Sequence, residues 1–432
     1  MTHTDPSHAR PTELALEPGD SARYDARFAS RASGIVSSAM RDLMALSERP
    51  DIISLAGGFP NTSSFQRETF DEVMEAMGSE HLASSLQYGP TEGLLELRER
   101  IVEVMAHEGV GARAEDVLVT CGGQQAIDLS IRTFVNPGDV VLAEGPTYPG
   151  AVPVFTTYEA EVVHVPLDDD GLSIDQLEET LDRLDREGRP PKLLYTIPSF
   201  HNPGGVTMSL PRRRRLIEIA HRRELLIVED NPYGQIRFEG DALPTLWELD
   251  DGAGWVIYLS TFSKILAPGL RVGWVAAPPA VLRKMNLGKQ AADLATSTAT
   301  QRFILEYLRR HDWRDYVERL NGIYRSRRDA MLRALEEEFP AEATWTRPRG
   351  GLFVWATLPS YLDTRDLLAA AVSQSQVAFV PGAAAFLDGQ GTSSMRLNFS
   401  GVPEETISEG IRRLGETVGQ AVELHRALGG GP

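Results

Sequence analysis

Lys264 stands in Ser260-Thr261-Phe262-Ser263-Lys264, directly after the apolar run 256–259 and shortly before Gly269-Leu270-Arg271-Val272-Gly273-Trp274. An amine flanked by hydroxyls, a glycine turn and an arginine can hold a phosphorylated aldehyde as a Schiff base while its neighbours grip the phosphate. A solvated loop lysine is the alternative, so other residues have to decide. Cys121-Gly122-Gly123-Gln124-Gln125-Ala126 follows the run 117–120 and opens a helix with a glycine pair. Bare backbone N–H groups and the positive end of the helix dipole would there face an anion, a phosphate cradle in outline. Any tight strand-to-helix turn can use such a pair, and the spacing is not that of a dinucleotide fingerprint.

Glu229 and Asp230 close the apolar run 225–228, ahead of Asn231-Pro232-Tyr233. On a strand they point to opposite faces, so one carboxylate faces the site and can keep a pyridine nitrogen protonated; a helix N-cap is the other use of Asp there. Asn202, in His201-Asn202-Pro203-Gly204-Gly205, offers an amide to a ring hydroxyl or a substrate carboxylate, or simply forms an Asn-Pro turn. Arg396 lies inside the apolar run 395–399. A guanidinium there needs an anionic partner, and a carboxylate held by two of its nitrogens is the natural one.

The elements that must position these groups follow from periodicity. Apolar runs at 117–120, 140–143, 161–166, 193–197, 225–229, 256–259 and 272–276 end in turn residues and read as strands. Segments of helical period separate them, among them 124–134, 174–184 and 211–222. This alternation predicts an α/β fold with a mainly parallel seven-stranded sheet covered by helices on both faces, and sites at the carboxyl ends of its strands. After about residue 290 the pattern changes to long helices at 299–311 and 313–338. Short strands at 351–355, 377–380 and 395–399 and a helix at 404–428 follow, a smaller α+β unit. The expected organisation is a flexible arm over 1–35, a segment 36–65 joining the small domain, a large domain over 66–312 and a small one over 313–432.

Composition excludes other classes. The chain has 432 residues and a formal net charge of -18, which disfavours nucleic acid and anionic membranes as partners. The run Arg212 to Arg215 is a local exception that reads as the polar start of an amphipathic helix. The nine histidines show no metal-ligand spacing, so no metal site is expected. Cys121, the single cysteine, is expected to be a packed small residue in a reducing compartment. No apolar stretch reaches the ~20 residues a membrane span needs, and residues 1–30 lack a signal-type apolar core, so the expected location is the cytoplasm.

Taken together, Asn202-Pro203, Asp230 with Tyr233, Ser263-Lys264 with Arg271, and Arg396 resemble the class I/II aminotransferases among the fold-type I pyridoxal-phosphate enzymes. The resemblance runs from about residue 38 to 414. Within the family, Ile53-Ser54-Leu55-Ala56-Gly57-Gly58-Phe59-Pro60 and Leu86-Gln87-Tyr88-Gly89-Pro90 are similar to the subgroup of 2-aminoadipate aminotransferases, kynurenine aminotransferase II and the enzyme-like domains of MocR regulators. The resemblance implies that Lys264 bonds the aldehyde of pyridoxal 5'-phosphate and then carries the substrate proton, and that Asp230 pairs with the ring nitrogen. It further implies that Tyr233 and Asn202 meet the ring oxygen and that Tyr148 stacks on the ring. Gly123, Gln124, Thr261, Ser263 and Arg271 would bind the phosphate, with Tyr88 reaching it from the second subunit of a homodimer. Thr261 stands where relatives often carry serine, and its hydroxyl keeps that contact. Arg396, backed by Gly58 and joined by Asn202, would clamp the substrate carboxylate. Ser38 and Arg41 align with a stretch that meets the distal carboxylate of dicarboxylic substrates, though Arg41 also fits the solvated side of a helix whose stripe is Met40, Leu43 and Met44. His201 and Gly204 stand where many relatives have Gln and Thr, which leaves the substrate pocket open. The implied activity is transfer of an amino group from an L-amino acid to a 2-oxo acid such as 2-oxoglutarate. Decarboxylation, racemisation or oxidation could use the same lysine. A MocR-type regulator would need a helix-turn-helix domain, for which about 35 residues are too few.

Overall fold

The computed structural model describes Tyr24 and residues 27–33 and 49–429, so Ser38 and Arg41 lie outside the described residues. Nine strands come first in chain order: β1 (Ile53–Ser54), β2 (Val117–Thr120), β3 (Val140–Gly145), β4 (Glu161–Asp168), β5 (Gly171–Leu172), β6 (Leu193–Thr196), β7 (Ile227–Asp230), β8 (Val256–Thr261) and β9 (Gly273–Ala276). Five more follow: β10 (Thr344–Trp345), β11 (Phe353–Thr357), β12 (Val377–Ala378), β13 (Val380–Pro381) and β14 (Ser394–Asn398).

The main sheet has eight strands in the order β2-β9-β8-β7-β6-β3-β4-β5. Neighbours from β8 through β4 pair in parallel, whereas β9 runs antiparallel to both β2 and β8. All seven predicted strands are present. The eighth, β5, is a two-residue antiparallel return from β4, too short to leave a periodic signal. The run at 225–229 begins pairing only at Ile227, because the preceding helix Leu210–Arg223 ends on Glu224 in a left-handed conformation (φ 53°) and Leu225 N–H closes back on Ala220 O.

Alternation along each strand feeds two apolar layers. Val141, Ala143, Tyr195 and Val228 face one layer, while Val140, Leu142, Leu194 and Ile227 face the other, where the helices Ile174–Arg186 and Leu210–Arg223 supply Leu177, Leu181 and Leu216. Burial on both faces explains the unbroken apolar runs of the central strands.

The C-terminal third builds an antiparallel sheet β10-β11-β14-β13. The predicted strand at 377–380 is split: β12 leaves that sheet to pair in parallel with β1, Ile53 opposite Val377, and β13 stays beside β14. The helices Trp313–Glu338 and Glu404–Ala427 pack against each other. Among the described residues no helix is long and apolar enough to cross a membrane.

Candidate active site

The polar groups converge at the carboxyl ends of β6, β7 and β8. Thr261, last residue of β8, caps the short helix Phe262–Ile265, its hydroxyl accepting Ser263 N–H at 3.1 Å. This cap turns the chain off the strand and directs Lys264 back across the site, where Nζ donates to Gly58 O at 2.8 Å. Burial lowers the pKa of Lys264 to about 8, the cations Arg396 and Arg271 act in the same direction, and Asp230 opposes them. A lowered value leaves more neutral amine near pH 7, which is the nucleophilic form. We therefore expect capture of pyridoxal phosphate by the apoprotein to quicken about tenfold per pH unit below 8 and to level off above it. A stopped-flow series that kept rising to pH ~10, the range of an ordinary lysine, would contradict this assignment.

Glu229 and Asp230 part to opposite faces of β7, as their spacing requires. Glu229 turns away from the site and accepts Leu246 N–H at 3.0 Å and Trp247 N–H at 2.9 Å. Asp230 faces the site, buried, and accepts the Tyr195 hydroxyl at 2.6 Å. Burial pushes its carboxyl up to about 7 and the charge of Glu144 adds to this, against the Tyr195 hydrogen bond and the Lys264 cation. A carboxyl in that range is well matched to share a proton with a pyridine nitrogen.

Asn202 Nδ2 donates to the Tyr233 hydroxyl at 3.1 Å, and Asn202 Oδ1 accepts from Arg396 Nη1 at 3.1 Å. Arg396, buried on β14, also donates from Nη2 to Ala56 O at 2.7 Å and lies 4.4 Å over the centre of the Phe353 ring. Burial lowers its pKa to about 10, so the guanidinium is charged at neutral pH and available to a carboxylate. Tyr148 lines the same space. A Cβ on Gly150 would come within 2.4 Å of its ring, so the glycine makes room for it. Burial raises the pKa of Tyr148 and of Tyr233, which keeps both hydroxyls protonated.

The anion cradle opens at the helix Gly122–Phe134. Gly122 has φ +70°, and a Cβ there would sit 2.3 Å from Arg271 Nη2. A Cβ on Gly273 would lie 2.7 Å from the Gly122 carbonyl carbon, so β9 and the helix start touch backbone to backbone. Arg271, itself left-handed at φ 52°, makes only long bonds of 3.3 Å to Pro268 O and Cys121 O and is exposed to an incoming anion. The Ser263 hydroxyl stands 2.9 Å from that of Thr261, whose own proton goes to Val272 O at 3.0 Å. Gln124 points elsewhere: its amide donates to Gly150 O at 2.6 Å and fastens the turn behind Tyr148. Gly122→Ala should displace Arg271 and weaken pyridoxal phosphate binding to the apoprotein by about tenfold, roughly one charge-assisted hydrogen bond. Unchanged affinity in a fluorescence titration would refute the role given to Arg271.

These donors fit the cofactor. Helix N–H groups, Arg271 and Ser263 suit a phosphate; Tyr148 suits a ring face; Asp230 suits the ring nitrogen, and Lys264 the aldehyde. Tyr88 does not join them. It is 83% exposed, and no hydrogen bond links its side chain to the site.

Several residues with a part in this arrangement gave no usable signal. Tyr195 is one residue of the predicted strand 193–197, and only the fold brings its hydroxyl to Asp230. Arg213, expected on a solvated face, is fully buried and donates to Met208 O, Pro244 O and Pro198 O, each at 2.9 Å, and to Ser199 Oγ at 3.0 Å. Its neighbours behave as expected at the surface: Arg212 pairs with Asp168 and Arg215 with Asp175 and Glu178. Cys121, expected to be packed, is exposed, because it precedes the helix and only its backbone is engaged, the N–H by Gln125 Oε1 at 2.7 Å. Among the described residues no three His, Cys, Asp or Glu side chains are placed to hold a metal.

A mainly parallel sheet that presents a lysine after one central strand and an acid after its neighbour, beside a helix-start phosphate cradle, defines a fold-type I pyridoxal-phosphate enzyme. The model of the family "Aminotransferase class I and II" matches residues 50–414, and the chain belongs to that family. It is 46% identical to aromatic-amino-acid aminotransferase 1 of Thermococcus litoralis over 91% of this chain and 94% of that one. Its fold is similar to the multiple substrate aminotransferase of Thermococcus profundus, with TM-score 0.87, 43% identity, and 93% and 99% of the two chains covered. It is likewise similar to the alpha-aminoadipate aminotransferase of Thermus thermophilus complexed with N-(5'-phosphopyridoxyl)-L-leucine, with TM-score 0.86, 39% identity, and coverage of 93% and 99%. The chain is an aminotransferase, and its cofactor is pyridoxal phosphate.

Proposed function

We propose that this chain moves the amino group of an L-amino acid to 2-oxoglutarate in two half-reactions at Lys264. The observation that carries this reading is the Lys264 amine, lowered in pKa, held by Gly58 O and lying in the field of both Asp230 and Arg396. Bound pyridoxal phosphate supplies the electron sink for the bond broken at the substrate Cα. Lys264 would hold the cofactor through its aldehyde and would serve as the base that accepts and donates the proton at the substrate Cα. Asp230 keeps a proton on the ring nitrogen. Tyr233 and Asn202, bonded to each other, would meet the ring oxygen, and Tyr148 would cover the ring. Gly123, Gln124, Thr261, Ser263 and Arg271 would hold the phosphate, while the Gln124 side chain fastens the Tyr148 turn. Arg396 and Asn202 grip the α-carboxylate, and Gly58 lends its carbonyl to the lysine.

The working unit in this reading is a cytoplasmic homodimer, in which Tyr88 reaches the phosphate of the other subunit. The exposure of Tyr88 (83%) and Leu86 (77%) on one short segment supports an interface there. Pairing of β1 with β12 supports assigning residues 36–65 to the small domain, 313–432, beside a large domain over 66–312. The preferred donors are dicarboxylic, 2-aminoadipate and glutamate, with Arg41 and Ser38 meeting the distal carboxylate. Similarity to an aminoadipate enzyme supports this, while similarity to an aromatic-amino-acid enzyme makes aromatic donors the alternative outcome.

A donor panel with 2-oxoglutarate as acceptor decides between them. We expect kcat/KM for 2-aminoadipate to exceed that for leucine or phenylalanine, and Arg41→Ala to cost dicarboxylic donors about tenfold or more, the scale of one lost ion pair. Turnover of aromatic donors alone would overturn the substrate assignment.

A further inference from the structure

Asn202 makes both of its site contacts from the tip of a loop whose two ends are fastened to each other. The neck is the pair Pro198 and Met208, where Met208 N–H donates to Pro198 O at 2.8 Å. Above it His201 N–H reaches Val206 O at 2.8 Å and Gly205 N–H returns to His201 O at 2.7 Å, so the loop closes on itself and carries Asn202 at its end. The tip also fits tightly against β11: a Cβ on Gly205 would lie 2.6 Å from Phe353 O.

Two buried charged side chains hold that loop: Glu144, which also lies 3.0 Å from His201 Nε2 and whose charge acts on Asp230, and Arg213, which bonds the neck itself. Glu144 accepts the Thr196 hydroxyl at 2.7 Å and Ile197 N–H at 2.8 Å, fixing the chain as it leaves β6. Arg213, from the first turn of the helix Leu210–Arg223, takes the carbonyls on both sides of the neck, Pro198 O and Met208 O, and adds Ser199 Oγ and Pro244 O. A fully buried guanidinium bonded to three backbone carbonyls and a hydroxyl, with no carboxylate in ion-pair contact among the described residues, is costly to place. Holding one geometry is a use that matches the cost.

We propose that Arg213 is a positioning residue for substrate: by closing the neck of the 198–208 loop it presets Asn202 against Arg396, so that the carboxylate clamp is aligned before the amino acid arrives. This rests on the reading of Arg396 and Asn202 as that clamp. Its signature is a loss of binding common to ground and transition state, hence a raised KM with kcat nearly kept. A second feature makes the test specific. Arg213 borders a cavity of about 780 Å³ whose lining does not include Lys264 and includes Ser199, Thr207, Arg237 and Arg349. Guanidinium added to an Arg213→Ala protein can enter from that cavity and refill the lost position.

The experiment compares wild-type holoenzyme with Arg213→Ala, using a donor that the wild type converts. We expect KM to rise about tenfold and kcat to stay within about threefold, with ~20 mM guanidinium chloride restoring KM and ~20 mM potassium chloride not doing so. Should Arg213→Ala fail to fold, Arg213→Lys, which can reach only some of the four acceptors, is expected to show a smaller KM rise in the same direction. An unchanged KM in a folded variant, or equal loss of kcat and kcat/KM without rescue, would overturn the proposal. If the wild type converts no donor, the activity reading fails separately. Amide exchange at Gly205 in the apoprotein then decides: protection lost in Arg213→Ala and regained with guanidinium supports the brace, and unchanged protection rejects it.

Discussion

Lys264→Ala lowers the transamination rate by at least about 10³-fold while the protein still takes up pyridoxal phosphate. Positioned proton transfer contributes roughly 10² to 10⁴ to rate, and this lysine serves both as the covalent anchor and as the proton carrier. The phosphate and ring contacts do not depend on it. Arg271, the helix start at Gly122 and Asp230 are all held by other bonds, so affinity for the cofactor falls less than rate does. Added methylamine should restore part of the activity, since a free amine can carry the proton that the side chain no longer carries. A variant turning over at the wild-type rate would sink the mechanism as a whole.

Asp230→Asn produces the second large effect, again about 10³-fold in rate, or some 4 kcal/mol. An amide has no charge with which to keep a proton on the ring nitrogen. In the apoprotein the same substitution acts oppositely on stability. The folded state raises the carboxyl from 3.8 to about 7, so the unfolded chain ionises first. The stability tied to this group is complete below pH ~4 and is lost as pH rises towards ~7. Removing the charge removes that penalty, so the Tm of Asp230→Asn apoprotein should exceed that of wild type at pH ~8, with the gap closing towards pH ~4. A scanning calorimetry series with no such convergence would show that Asp230 is not held in an unfavourable buried state.

The α/β architecture and most of the site were legible because both write local signals. Strands buried on both faces read as unbroken apolar runs, and a charge or hydroxyl at the end of such a run is conspicuous, as with Lys264, Asp230 and Arg396. Residues whose roles arise from tertiary contact left no such mark. Arg213 lies between Arg212 and Arg214 in a basic run, and only packing against Pro198 and Met208 distinguishes it from its neighbours. Glu144 lies one residue past the predicted strand 140–143, and only the pairing of β3 with β6 brings it to Thr196 and Ile197. Gln124 sits beside the glycine pair and was read with it, although its side chain is long enough to prefer Gly150 O. Cys121, expected as a packed small residue, instead belongs to the exposed helix start.

The most direct test of the central claim is a single half-reaction. Holoenzyme mixed with excess donor and no acceptor should convert its cofactor absorbance to that of the pyridoxamine form and release one oxo acid per subunit, and Lys264→Ala should do neither on that timescale. Release of carbon dioxide or hydrogen peroxide, or loss of the donor's chirality while the cofactor stays in its aldehyde form, would contradict transamination at this site.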